Sequence, residues 1–254
     1  MNVRPTVSDS DLRWVPKAGP VVAVANHPFG LVEGAVLASL LKAIRPDVKL
    51  LANHFLGMFE EVRQHCIFVD PFGGDRAVRA NLSGLKSAIA GLKQGGLLGV
   101  FPAGEVAHLD LRERAVIDPE WNHSVAGLIR LTGATVLPIY IAGANSVLFQ
   151  LLGFLHPRVR TALLAHELLN KQGHKIELRI GKPIDAAKLR SVQDDVAMIR
   201  YLRHRTYVLQ NREPAKATPR LNPTPRPAGV LSHLLADEVS ALGPERARRR
   251  FLMF

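Results

Sequence analysis

The chain has 254 residues, 47% of them hydrophobic, one cysteine, and a formal net charge of +11. That length and apolar content suffice for one sizeable core, with or without appendages. A lone Cys66 excludes an internal disulfide and fits a reducing compartment, and the surplus of Lys and Arg seeks phosphates, on nucleic acid or on an anionic membrane surface.

In chain order, the N-terminus MNVRPTVSDSDLRW lacks the apolar core that a signal peptide needs. GPVVAVAN is a turn signal followed by a short apolar run, which predicts a buried strand. EGAVLASLLKAI places Ala35, Leu37, Ala38, Leu41 and Ile44 at helical spacing and predicts a helix packed on one face. Further strands are expected at VKLLA, CIFVD, LLGVF, TVLPIYI and KIELRI. Helical patterns such as DRAVRANLSGLKSAIAGLKQ and WNHSVAGLIRLTG lie between them, and DDVAMIRYLRHRTYVLQ follows as a closing helix. This alternation predicts an α/β fold with a mixed, largely parallel sheet flanked by helices. The proline inside VLPIYI predicts an edge strand or a strand start.

The longest uncharged stretch, Leu131 to Leu155, reaches the length of a membrane span. Pro138, several glycines, Asn145, Ser146 and Gln150 interrupt it, so it reads as a strand and then an apolar helix, SVLFQLLGFL, able to dip into a bilayer surface. Residues 1–212 form the expected domain and the Pro-rich, basic residues 213–229 a linker. Residues 230–254 read as a short amphipathic segment, either a docked terminal helix or a membrane-surface anchor built on Phe251, Leu252 and Phe254.

Residues 26–34, NHPFGLVEG, carry two titratable side chains in a strand-to-helix loop. His27 precedes Pro28 and is biased away from helical angles. Glu33 falls in the first helical turn, where an acid complements the helix dipole. Two readings stand at this point: an ordinary loop with a first-turn acid, or a base with its orienting carboxylate. Three more stretches follow in order: IFVDPFGGDRA at 67–77, VFPAGE at 100–105 and VLPIYIAG at 136–143. NHPFG, VDPFGG and FPAGE each follow a strand, and ligand sites in α/β sheets form outside the carboxyl ends of strands.

Together and in this order, these stretches resemble the PlsC-like lysophospholipid acyltransferases, over roughly residues 18–185. Within that superfamily the pattern is most similar to the bacterial hemolysin-like or lyso-ornithine-lipid O-acyltransferase branch. That branch carries NHPFG, VDPFGG, FPAGE and a later NS-x-LFQ with ELL, here Asn145, Ser146, Leu148, Phe149, Gln150 and Glu167, Leu168, Leu169. The resemblance implies an O-acyltransferase that moves a fatty acyl group from an acyl-carrier-protein or coenzyme A thioester to a lysolipid hydroxyl. It implies His27 as general base and Glu33 as its carboxylate. Asn26, Gly30, Asp70, Phe101, Pro102, Gly104 and Glu105 are implied on the substrate side. It implies no cofactor beyond the acyl donor, and peripheral residence at the cytoplasmic face of the inner membrane. An imidazole titrating near pH 6.5 suits the removal of an alcohol proton near neutrality, and backbone N–H groups at the start of the helix after Gly30 are placed to meet an oxyanion. By the same resemblance, LLADEVSALGPER is similar to the lead-in of a GNAT-like second domain.

Three departures from the wider family stand out. Five residues, not four, separate His27 from the acid, which is Glu33 rather than Asp. Pro71 stands where an Arg is frequent, and Ala103 stands where the third block has Glu, with Glu105 two positions later. These point to an acceptor other than glycerol phosphate, such as an amine-bearing ornithine lysolipid. The rivals are a lysophosphatidate acyltransferase using Arg76 or Arg79, a lipid-binding pseudoenzyme, and a basic nucleic-acid binder. Only 6% aromatic residues and the lack of a nucleic-acid module weigh against the last. His54, His65, His108, His123 and His156 follow no metal-ligand spacing, and no metal is expected. Cys66 reads as a core residue rather than a nucleophile.

Overall fold

The computed structural model describes residues 3–58, 60–69, 75–153, 163, 167 and 174–212. Its centre is a seven-stranded sheet. The strands are β1 (Arg4–Thr6), β2 (Val21–Ala25), β3 (Val48–Asn53), β4 (Cys66–Val69), β5 (Leu97–Val100), β8 (Thr135–Ile141) and β9 (Lys175–Ile180), in the order β1-β9-β8-β2-β5-β3-β4. Five neighbours, β8 through β4, run parallel; β9 is antiparallel to β8, and β1 is parallel to β9. A separate antiparallel hairpin joins β6 (His108–Asp110) to β7 (Ala115–Ile117).

The helices are α1 (Asp9–Leu12), α2 (Leu31–Lys42), α3 (Glu60–Arg63), α4 (Asp75–Lys93), α5 (Ser124–Thr132), α6 (Val147–Gly153), α7 (Ala186–Arg190) and α8 (Asp195–Tyr207). Both faces of the sheet are covered, which is why its central strands read as unbroken apolar runs. The strand period of two divides β2 between the faces. Val21, Ala23 and Ala25 join Leu137, Ile139 and Ile141 of β8 against Val32, Val36, Leu37, Leu40 and Leu41 of α2. Val22, Val24, Leu98 and Val100 face Ala88 and Leu92 of α4, Leu128 and Ile129 of α5, and Met198 and Leu202 of α8.

The expected edge position of the proline-bearing strand is corrected. β8 is internal, between β9 and β2. Pro138 is accommodated because its side of the β9 ladder is irregular: Ile139 pairs with Ile180 and Val136 with Ile184, so three residues, Gly181–Pro183, oppose two. The missing N–H falls at this bulge, where an interior proline is tolerated. The Pro138 carbonyl still accepts from the Gly181 N–H at 2.9 Å. β1, α1 and the β6–β7 hairpin were not foreseen.

The chain leaves β2 through α2 toward β3 on one side, and leaves β5 through α5 toward β8 on the other. The carboxyl ends of β2 and β5 therefore flank a switch in winding direction, where an open sheet forms its crevice. β4 is the far edge, three strand spacings from β2, or about 15 Å.

Candidate active site

The loop after β2 is held at every turn. Asn26 is buried, and its side-chain amide acts as a surrogate peptide: Nδ2 donates to the Ile141 carbonyl at 2.9 Å and Oδ1 accepts from the Ile141 N–H at 2.7 Å. Both polar ends being engaged by β8, Asn26 here fixes the loop. The backbone of His27 is clamped from two sides. Its N–H donates to Oδ1 of Asp118 at 2.9 Å, and its carbonyl accepts from the Ala107 N–H at 2.8 Å.

Glu33, one turn into α2, folds back over the loop. Its Oε1 accepts from the N–H groups of Phe29 at 2.9 Å and Gly30 at 2.7 Å, and lies 2.8 Å from Nδ1 of His27. Gly30 makes this return possible, because its φ of 102° is open to glycine and strained for other residues. The Glu33 side chain is wholly buried, whereas that of His27 keeps 16% exposure. Nδ1 itself is shielded from solvent, so the rest of the ring, including its Nε2 edge, is the part able to meet a substrate. Burial pushes the Glu33 carboxyl up. The His27 charge and ring contact, with the Gly30 and Phe29 N–H groups, outweigh that and leave it below its ordinary 4.5.

The loop after β5 supplies the opposite wall. Phe101 is half-buried and stacks on the His27 ring, centroids 4.5 Å apart and planes inclined by 24°. The Gly104 N–H closes a tight turn on the Phe101 carbonyl at 3.0 Å, with Gly104 at φ 69°. Pro102 is buried, and its carbonyl accepts from the Asn122 N–H at 2.8 Å. Glu105 is exposed beside this turn. Thus His27, Glu33, Asn26, Gly30 and Phe101 come together, with Pro102, Gly104 and Glu105 on the adjoining turn. Asp70 and Pro71, in the second stretch, lie outside the described residues, as do Leu168, Leu169, the linker at 213–229 and the terminal segment at 230–254. The Phe29 and Gly30 N–H groups are engaged by Glu33, which leaves the N–H groups of Leu31 and Val32 as the next donors of the first turn.

One acid against the loop carried no signal in the sequence. Asp118 sits in DPEW, which in sequence is a turn between a short strand and a helix. Its second oxygen accepts from the Trp121 indole N–H at 2.9 Å, and the residue is 1% exposed. Burial raises its carboxyl above 3.8, against the His27 N–H, Trp121, and the His27 and Arg203 charges. Asn145 donates from Nδ2 to the Phe29 carbonyl at 3.2 Å, and Gln150 accepts from the Leu109 N–H at 2.8 Å. Ser146 is bonded through both its N–H and its hydroxyl to buried Glu167. Through Asn145 the NS-x-LFQ stretch buttresses the loop that carries His27, while Gln150 and Ser146 tie the stretch to β6 and to Glu167.

Cys66 opens β4, half-buried against the core, and burial pushes its thiol up to about 11, which disfavours the thiolate. Among the described residues no cluster of His, Cys, Asp and Glu is arranged to hold a metal, and no helix is long and apolar enough to cross a membrane.

A histidine that keeps part of its ring exposed, with a buried carboxylate against its inner nitrogen, can take a proton from a hydroxyl and return it to a leaving group. A family model described as Acyltransferase matches residues 3–216. Among solved structures, the 1-acyl-sn-glycerophosphate (LPA) acyltransferase PlsC from Thermotoga maritima superposes with a TM-score of 0.52 at 21% identity, covering 82% of this chain and 71% of that one. At that identity the likeness is one of fold. No curated protein matches.

Proposed function

The chain belongs to the acyltransferase family, and from that premise we propose that it moves a fatty acyl group from an acyl thioester to the free hydroxyl of a lysolipid. The observation that carries this reading is the 2.8 Å approach of His27 Nδ1 to a fully buried Glu33. In this mechanism His27 takes the hydroxyl proton while the acceptor oxygen bonds to the thioester carbonyl carbon. The tetrahedral oxyanion is met by first-turn N–H groups of α2. As it collapses the C–S bond breaks, and the imidazolium returns its proton to the departing thiolate. Glu33 holds the ring tautomer and stabilises the imidazolium. The nucleophile is the substrate's own, so no enzyme serine is required.

The acceptor we favour is a lyso-ornithine lipid or a related non-phosphatidate lysolipid. Pro71 in place of an Arg, and exposed Glu105 on the turn beside His27, support an amine-bearing head group. The printed activity of the structural neighbour favours lysophosphatidate as the second reading. The test supplies labelled acyl-carrier-protein or coenzyme A thioester with each lysolipid separately, with His27→Ala alongside. A diacyl product that His27→Ala reduces on the order of 100- to 10,000-fold is expected. Silence of the wild type with every donor and acceptor would sink the enzyme reading in favour of lipid binding alone.

We place the protein peripherally on the anionic, cytoplasmic face of a membrane. Leu111 (70% exposed) and Val147 (74% exposed) stand out from the β6–β7 turn and from α6, which pack together, and Arg112 and Arg114 follow the first, with Asp110 before it and Glu113 between them. Sedimentation with anionic vesicles, lost in a salt wash, is the expected behaviour. Retention until detergent would argue for insertion.

A further inference from the structure

We infer that Asp118 is a positioning residue for His27: a second buried carboxylate that holds the backbone of the base and sets a negative charge beside it. The inference rests on reading His27 as the base. Glu33 approaches the ring from α2. Asp118 comes from a loop 91 residues downstream, and its Oδ1 accepts the His27 N–H at 2.9 Å. With the Ala107 N–H on the His27 carbonyl at 2.8 Å, both backbone polar groups of that residue are fixed, and with them the direction of its Cα–Cβ bond.

Asp118 is itself held by three further side chains. The Trp121 indole donates to Oδ2 at 2.9 Å, and its own N–H donates to the Tyr207 hydroxyl at 2.9 Å. The Arg203 guanidinium donates to its carbonyl at 2.9 Å, and the Arg203 head also lies 5.3 Å over the Tyr207 ring. The ring of Tyr140, from β8, meets Tyr207 edge-on at 5.9 Å. The charged and titratable groups around the pair are therefore Glu33 from α2, Arg203 and Tyr207 from α8, and Tyr140 from β8. A solvated turn residue needs none of these supports. Burial raises the Asp118 carboxyl, the N–H donors on its two oxygens oppose that rise, and as an anion it lies against the residue whose protonation the reaction cycles.

The test is the titration of His27 followed by NMR through its Cε1–H, assigned with His27→Gln. It requires no substrate. Asp118→Asn keeps the shape and the acceptor for the His27 N–H but removes the charge. The expected result is a His27 midpoint displaced to lower pH by on the order of one unit, in a protein with wild-type circular dichroism. With an active acyl pair, the acid limb of the pH–rate profile moves with it, and kcat falls on the order of 100-fold while the KM of the donor holds. A folded Asp118→Asn protein whose His27 midpoint stays in place overturns the inference and leaves Asp118 a structural brace. Should that variant fail to fold, the wild type decides. The Trp121 indole N–H, distinguished from Trp14 with Trp14→Phe, must show an inflection at the His27 midpoint, since Asp118 joins the two. A flat Trp121 signal across that pH range overturns the inference equally. Acyl-transfer assays that fail while this coupling is present would count against the proposed function and not against Asp118.

Discussion

Glu33 is a wholly buried carboxylate, and a group of that kind persists only where its charge is compensated. Here compensation comes from two backbone N–H groups on Oε1 and from the His27 ring. Glu33→Gln keeps a carbonyl for the two N–H groups and removes the charge that favours imidazolium. Activity is expected to fall on the order of 100- to 10,000-fold, with circular dichroism unchanged. Rates within threefold of wild type would show that the carboxylate serves the loop alone. Phe101 acts at the same scale. Its ring lies over His27, and such stacks contribute about 0.5–1.5 kcal/mol beyond area burial.

Among the elements, the segment leaving β8 is tightly constrained by packing. Gly143, just beyond β8, has φ 122°, and a Cβ there would stand 2.5 Å from Cζ of Phe29. Phe29 is two residues from His27 and offers its N–H to Glu33. Gly143→Ala therefore combines backbone strain with a clash against the loop that carries His27. A loss of roughly 2–4 kcal/mol is expected in urea unfolding, with a fall in activity larger than the loss of folded protein explains. An unchanged urea midpoint would contradict the packing described. β8 also shows how an element is overruled by its neighbours. Pro138 argues locally for an edge, yet a one-residue excess opposite it provides an interior place.

At the scale of the whole molecule, the buried acids give a signed pH dependence. Glu33 is held below 4.5 in the folded state. Its stabilisation is complete above that value and is lost as pH falls through the folded midpoint. Asp47, held down by the hydrogen bond from Arg45, acts in the same direction. Asp118 is raised above 3.8 by burial. Its ionisation costs stability, and the cost is relieved as pH falls. Urea midpoints taken from pH 7 to pH 3 are expected to drop below about pH 4.5, less steeply in Glu33→Gln and more steeply in Asp118→Asn. The same slope in all three proteins would mean that neither carboxyl governs acid unfolding.

Much of the molecule was legible in the amino-acid sequence by itself. Apolar runs bounded by turns marked β2, β3, β4, β5, β8 and β9, and helical spacing marked α2, α4, α5 and α8, because period and burial are local properties of a chain packed on both sheet faces. His27 and Glu33 were legible as a candidate pair because they lie within one loop and the first turn of one helix. β1, with only three residues, and the short β6–β7 hairpin have too little pattern to register. Only the tertiary structure decided that Asn26 bonds to Ile141, that Phe101 stacks on His27, and that Asp118 takes the His27 N–H. Each is a contact between chain segments far apart in sequence, brought together where the strand winding reverses. Their side chains, Asn, Phe and Asp in turn-like surroundings, look locally the same whether they face solvent or a buried backbone. No local rule distinguishes those cases, because what separates them is the partner, and the partner is supplied by the fold.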